Sequence, residues 1–222
     1  MRLRFGPRPI SVTFKGPRPP PVRLADVDEE ARAALRLAVE ALAEAGAVVW
    51  VTYGTLLGLV REGRLLPHDD DIDIAVMAGA HGEQIKVAMA ARGLTPMLDE
   101  VGPWGVSKLK FNRGQVVIDL FFVREEGPVL ADYCTLVRRS LLRSTHPPVT
   151  IEMRELGGMV LPVPREAEAY LAHLYGAGWR QPVINWNWYM SPPNAEIIVH
   201  WSDAPRLAER WVRWKWRQRA KA

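Results

Sequence analysis

Four carboxylates, Asp69, Asp70, Asp71 and Asp73, fall within five residues in the run PHDDDIDI at 67–74. An apolar strand pattern continues directly through them into Ala75, Val76 and Met77. Side chains alternate along a strand, which puts Asp69, Asp71 and Asp73 on one face and Asp70, Ile72 and Ile74 on the other. Like charges held that close repel unless something cationic lies between them. An all-oxygen set of this kind suits a hard divalent ion, Mg²⁺ or Mn²⁺. The competing reading is a solvated acidic turn. The apolar strand behind the run and the glycine turn ahead of it weigh against that.

A second carboxylate stands where an ordinary surface acid would not. Asp119 occupies the middle of VVIDLFFV at 116–123, an almost wholly apolar strand pattern. An ionised carboxylate in a central strand is costly unless it is paired or bound to metal. Lys108, Lys110 or a backbone amide could pair with it. The stronger account places Asp119 on a strand beside the one carrying Asp71 and Asp73, facing the same way. Asp71, Asp73 and Asp119 would then converge on one or two divalent ions, an arrangement suited to in-line phosphoryl displacement. Tyr53, Gly54 and Thr55 form a turn into a short helix shortly before the acids. Such a turn presents backbone N–H groups and the positive end of the helix dipole to a phosphate, and Thr55 can add a hydroxyl.

These residues need a frame. A helix is expected from Asp26, as its cap, to Ala45, stopped by Gly46. A buried strand follows over 47–52 and the short helix over 56–61. A helix over 83–92 comes after the acidic strand. Strands over 108–111 and 116–123 are joined by a hairpin turn at Asn112, Arg113 and Gly114. The stretch 124–158 shows no decisive period. A strand or extended lead over 160–164 precedes a helix over 165–175, and a tryptophan-rich basic helix begins at Pro205. The organisation expected is an extended basic arm over 1–24, a catalytic domain over 25–200 and a C-terminal helix over 201–222.

The 222 residues and 48% hydrophobic content suit one well-filled core. No apolar run approaches the roughly 20 residues needed to span a bilayer, and the basic N-terminus lacks an apolar signal core. A single cysteine, Cys134, excludes an intramolecular disulfide framework and fits a reducing cytoplasm. The net charge of +4 is concentrated at the ends, Arg8 and its neighbours at one and Arg206 through Lys221 at the other. Basic ends can meet phosphate-rich partners or simply solvate the chain. His81, His146, His173 and His200 have no zinc-ligand spacing with Cys134, and no Walker loop, serine elbow or dinucleotide fingerprint occurs. Asn185, Trp186, Asn187, Trp188 and Tyr189, with Trp201, Trp211, Trp214 and Trp216, can stack on sugars or lie on an anionic membrane; they can equally pack on the core.

The order glycine and small hydroxyl residue, apolar-Asp-apolar-Asp, then an isolated strand carboxylate resembles the nucleotidyltransferase fold. YGTLLGLVREGRLLPHDDDIDI at 53–74 is similar to the signature of the LicD family, which also takes in the fukutin and fukutin-related proteins. That signature runs Tyr-Gly-Thr-Leu-Leu-Gly, an Arg, then Pro-Trp-Asp-Asp-Asp-Ile-Asp. A second block, LPVP at 161–164 followed by Tyr170, Leu174, Tyr175, Gly176, Trp179 and Pro182, resembles the family's closing motif. The similarity covers residues 33–182.

The resemblance implies an α/β (α+β) nucleotidyltransferase-like fold, with a small mixed central sheet flanked by helices. It also implies transfer of a phospho-substituted alcohol, of the phosphocholine or ribitol-phosphate kind, from a CDP-type donor to a hydroxyl of a glycan or lipid-linked glycan. Gly54 and Thr55 would hold donor phosphate, and Asp71, Asp73 and Asp119 would hold Mg²⁺ or Mn²⁺. Asp69 would be a further ligand or a base. Arg61 would meet donor phosphate or a carboxylate, and Lys108 or Lys110 would neutralise charge on the transferred phosphate. His68 replaces the family's Trp, which puts donor or acceptor preference in question. A cytoplasmic enzyme, with peripheral membrane contact open to it, is the expectation. Nucleic acid is not the expected partner. The alternatives are transfer of the nucleotide itself to a small molecule, RNA or protein, and a non-catalytic nucleotide-binding module.

Overall fold

The computed structural model describes residues 2–6, 10–79, 82–184 and 186–219; Arg8, His81, Asn185 and Lys221 lie outside them. Within the proline-rich opening two short stretches are strands, β1 (Arg2–Phe5) and β2 (Ser11–Phe14). A 3₁₀ turn at Leu24–Val27 leads into helix α1 (Asp28–Glu44). Asp26 therefore lies in the turn, and Val27 takes the cap position without a side-chain cap. Asp28, Glu29 and Glu30 fill the first turn, where the helix dipole favours acids. Ala31, Ala34, Leu35, Ala38, Ala41 and Leu42 form its buried stripe at helical spacing.

Next come β3 (Val49–Val51), α2 (Tyr53–Glu62), β4 (Asp71–Met77), α3 (Gly82–Ala91), β5 (Thr95–Gly102) and β6 (Gly105–Arg113). They are followed by β7 (Val116–Glu126), β8 (Val129–Val137), β9 (Ser140–His146), the hairpin β10 (Ile151–Leu156) and β11 (Met159–Pro164), and α4 (Ala167–Tyr175). β12 (Ala195–Val199) and α5 (Ala204–Arg219) close the described chain.

The mixed α/β class is as expected, but the sheet is large and mostly antiparallel, with ten strands. Its order is β1-β12-β9-β8-β7-β6-β5-β2, with β4 parallel to β7 and β3 paired to β4. The extra width comes from the stretch that showed no decisive period. β7 pairs with β4 over residues 117–123, then changes partner and pairs with β8 over residues 124–126. That change carries the sheet past the acidic strand and into β8 and β9. A single long strand thus belongs to two neighbourhoods, one behind the acids and one beside them.

β4 and β7 run through the core, with Ile72, Ile74, Ala75, Val76, Ile118 and Leu120 fully buried. Burying each large aliphatic side chain contributes about 1.5–3 kcal/mol, which offsets the cost of seating carboxylates on the same strands. α5 docks through Leu207 onto a separate apolar cluster that includes Cys134, Leu142, Ile197 and Val199. Trp201, Trp211 and Trp216 remain exposed, so packing on the core does not account for them. No helix among the described residues is long and apolar enough to cross a membrane.

Candidate active site

The expected pairing of the acidic strand with the Asp119 strand is present. β4 and β7 are parallel, and Asp73 stands directly opposite Asp119. Asp71 and Asp73 share that face, because side chains two residues apart in a strand point the same way. Asp69, just ahead of the strand, joins them: the three carboxylates place ligand atoms within 4.8 Å of one another. Asp70 faces differently and accepts a 2.9 Å hydrogen bond from Arg18.

Asp119 is only 2% exposed, and its Oδ2 is taken by Lys108 Nζ at 2.5 Å and Lys110 Nζ at 2.8 Å. Both lysines come from β6, where Lys110 lies opposite Asp119 in register. The structure thus seats Asp69, rather than Asp119, as the third member of the tight cluster. Asp119 Oδ1 is buried and has no partner among the described residues. An orphaned oxygen opposite Asp73, added to three converging carboxylates, is the donor set a hard divalent cation takes.

The acids are held in an uneasy state. Burial, then repulsion from Asp119 and Asp69, raises Asp71 from the usual carboxylate range to about 7. Burial raises Asp69 to about 6, against the pull of His68. Asp73 is pushed up further, by burial and then by Asp71, Asp69 and Asp119. Asp119 goes the other way: burial would raise it, but the two ammonium groups outweigh burial and lower it. Burial would lower Lys108, and the Asp119 charge overcomes that. The site therefore divides into a cation-poor acid cluster and a neutralised acid beside it.

Gly54 and Thr55 are already engaged. The Gly54 N–H donates to Asp73 Oδ2 at 3.1 Å, and the Thr55 hydroxyl accepts from the Asp73 N–H at 2.8 Å. Thr55 is buried, so the hydroxyl expected to meet phosphate instead ties α2 to β4. The positive end of α2 is thus presented to Asp73. Glycine at 54 leaves Asp69 its place in the cluster: a Cβ there would lie 2.2 Å from Asp69 Oδ2 and push that carboxylate aside. Gly58, one turn on, lets the chain return beneath the helix: a Cβ would stand 2.7 Å from Arg64 O and 2.8 Å from Leu66 N.

Arg61 pairs with Glu62 at 2.8 Å and also lines the cavity in front of the acids. His68 is exposed at the same mouth. Lys108, Lys110, Tyr53 and Gly54 line it as well, so every expected site residue except Thr55 reaches one cavity of about 840 Å³. Its far wall is aromatic, with Tyr175, Trp179, Trp186 and Trp188. Trp188 is half exposed and Trp186 packs against Tyr175 at 5.1 Å. Burial, then the Asp73 and Asp69 charges, push the Tyr175 hydroxyl well up.

Two buried residues tied to the cavity wall were not singled out from the sequence. Asp132 is 1% exposed, lines the cavity, and accepts hydrogen bonds at Oδ2 from the Tyr53 hydroxyl (2.5 Å) and from His146 Nε2 (2.6 Å). His146 is fully buried. The anchor also explains Tyr53, whose φ of 41° is unusual for an aromatic residue. The available signal was the one that exposed Asp119: an isolated Asp inside an apolar strand pattern, VLADYCTLV at 129–137. Among the remaining histidines, His173 meets Thr145 and His200 caps the turn before α5.

Comparison with known proteins shows the family. Residues 46–166 match the family profile described as LicD/FKTN/FKRP, nucleotidyltransferase domain. Ribitol-5-phosphate transferase FKTN of Mus musculus and that of Homo sapiens are each 29% identical over 187 residues. The match covers 81% of this chain and 40% of each relative, so the chain spans well under half the length of those proteins. A solution structure of the antibiotic-resistance factor ANT(2'')-Ia is similar with a TM-score of 0.45 and 16% identity, covering 72% of this chain and 78% of that one. With the matched segment running from β3 through β11 and enclosing all four acids, this chain belongs to the LicD/FKTN/FKRP family and carries its nucleotidyltransferase domain.

Proposed function

We propose that the protein is a divalent-metal-dependent transferase that moves a phospho-substituted alcohol from a CDP-type donor to a glycan hydroxyl. The observation that carries this is the convergence of Asp69, Asp71 and Asp73 in one cavity with Lys108, Lys110 and Asp119. Asp71, Asp73 and the free Oδ1 of Asp119 would hold Mg²⁺ or Mn²⁺. The ion, when bound, supplies charge neutralisation for a diphosphate and for the phosphoryl group in transfer. Lys108 and Lys110 orient Asp119 and add positive charge on the phosphate side. Arg61, at the cavity wall, adds another cation. Asp69, one of the three converging carboxylates, would be a further ligand or the base that accepts the proton of the attacking hydroxyl. His68, at the mouth, can pass that proton to solvent.

The aromatic wall of Tyr175, Trp186 and Trp188 offers the acceptor glycan flat faces on which to stack. Peripheral contact with an anionic membrane follows the same logic for α5. Trp211, Val212 and Trp216 are exposed there beside the arginines Arg206 and Arg210.

The test is a donor panel with Mg²⁺. CDP-ribitol and CDP-choline are offered with an oligosaccharide acceptor and assayed for CMP, while CTP and other triphosphates are assayed for pyrophosphate. Release of CMP that stops in EDTA is expected. Pyrophosphate from a triphosphate, without CMP from any CDP compound, would replace this reading with nucleotidyl transfer.

A further inference from the structure

The proline-rich stretch between β2 and α1 is a strap fixed at both ends. The Lys15 N–H donates to Met97 O and the Leu24 N–H donates to Asp69 O, each at 2.8 Å. Met97 belongs to β5, which β6 and β7 separate from β4 and its acids. The segment thus crosses three strand spacings of about 4.8 Å each. Pro17, Pro19, Pro20 and Pro21 fix their own φ and hold each preceding residue extended. Gly16, Pro19 and Val22 are partly buried while the residues between them are exposed, the three-residue repeat of a polyproline helix. A strap of this kind has little freedom to lose when it presents a side chain.

The side chain it presents to the site is Arg18, which lines the cavity together with Asp69, Asp70 and Asp71. Among the described residues Arg18 makes one hydrogen bond, from Nη2 to Asp70 Oδ2 at 2.9 Å, and the two side chains are 53% and 44% exposed. An ion pair so exposed stabilises little, and the backbone bonds at Lys15 and Leu24 already hold the strap. Other cavity cations are committed elsewhere: Lys108 and Lys110 to buried Asp119, and Arg61 to Glu62 and the Trp179 carbonyl. Most of the Arg18 fork is open. Its planar donors match two oxygens of a phosphate, a stronger partner than one exposed carboxylate oxygen.

We propose that Arg18 is a donor-binding residue, held over the cavity by Asp70 until the donor's diphosphate replaces that carboxylate. This rests on the donor reading above and adds to it a residue from outside the family-matched segment, residues 46–166. Asp70 serves as the resting partner. It keeps the guanidinium off Asp69 and Asp71, where a fixed cation would compete with the divalent ion. No covalent bond changes in the exchange; the ion pair alone changes partner.

The experiment titrates CDP into the full chain with Mg²⁺ by calorimetry, for the original and for two variants that break the same ion pair. Arg18→Gln removes the cation and should weaken CDP binding about ten- to thirtyfold. That is the lower part of the range for a hydrogen bond to a charged group, because the site is open to solvent. Asp70→Asn leaves Arg18 free for the phosphate, so CDP should bind as before or up to about fivefold more tightly. A pair that only fastened the strap would make the two variants alike. Weakening by less than about threefold in Arg18→Gln, or equal weakening in Asp70→Asn, would overturn the assignment while leaving the donor reading in place. If CDP does not bind the original chain, the donor reading itself fails and the role of Arg18 falls with it.

Discussion

Asp71→Asn should make the metal-free protein more stable while disabling it. Asp71 stands on a half-buried strand start, is repelled by Asp119 and Asp69, and has no hydrogen bond to its carboxylate among the described residues. Raising its proton affinity from the usual 3.8 to about 7 in the folded state would cost roughly 4 kcal/mol above pH 7, at about 1.36 kcal/mol per tenfold change. Partial exposure reduces this to about 2–3 kcal/mol. The sign follows from linkage: the folded state binds a proton more tightly than the unfolded one. The penalty is therefore absent below about pH 4, grows as pH rises toward 7 and stays constant above it. Asparagine removes the charge and the penalty together. For a chain of this size, about 2–4 °C per kcal/mol gives a rise in Tm of about 4–12 °C in EDTA at pH 8, shrinking to nothing near pH 4. Mg²⁺ should raise the Tm of the original chain at pH 8 and leave the variant nearly unmoved. The assay is a matrix of melting curves over pH, with EDTA or Mg²⁺. A variant less stable than the original in EDTA at pH 8, or one that keeps the full Mg²⁺ response, would refute the picture of a repulsive cluster awaiting a cation.

Gly54→Ala places a Cβ 2.2 Å from Asp69 Oδ2 and should cut turnover by about a hundredfold, the usual effect of displacing a catalytic group by an ångström. Its metal-free stability should change by less than about 1 kcal/mol, because alanine improves the helix; an unchanged Mg²⁺ response would count against the crowding argument. The Tyr170 hydroxyl meets Trp50 Nε1 at 3.0 Å, the Thr52 hydroxyl at 2.8 Å and His146 Nδ1 at 2.7 Å, and Tyr170→Phe takes this partner from all three buried groups, at about 1–3 kcal/mol for each one left orphaned. A loss of about 2–4 kcal/mol in urea unfolding is expected, and a loss under about 0.5 kcal/mol would show that the network is not formed as described.

The reach of the sequence is clearest in the contrast between Asp119 and Asp132. Both interrupt apolar strands, but Asp119 was legible because the strand over 116–123 had a hairpin turn on one side and two lysines across it. Asp132 lay in a stretch without a decisive period, on a strand buried along nearly its whole length, so period alone could not say which face was inside. Its partner His146 comes from the next strand, and register between strands is a property of tertiary pairing that no local window contains. The same limit explains Gly54 and Thr55. Their types were read as a seat for phosphate at a helix start. What crowds Gly54 is Asp69, while the Gly54 N–H and the Thr55 hydroxyl hold Asp73, seated by the parallel pairing of β4 with β7. A glycine reports that something must come close, and only the fold says what. Here it gives the short motif at 53–55 a positioning role on both sides of the cavity: Tyr53 fixes Asp132, while Gly54 and Thr55 fix Asp73. One turn of chain thereby sets the spacing between the acid cluster and the second carboxylate.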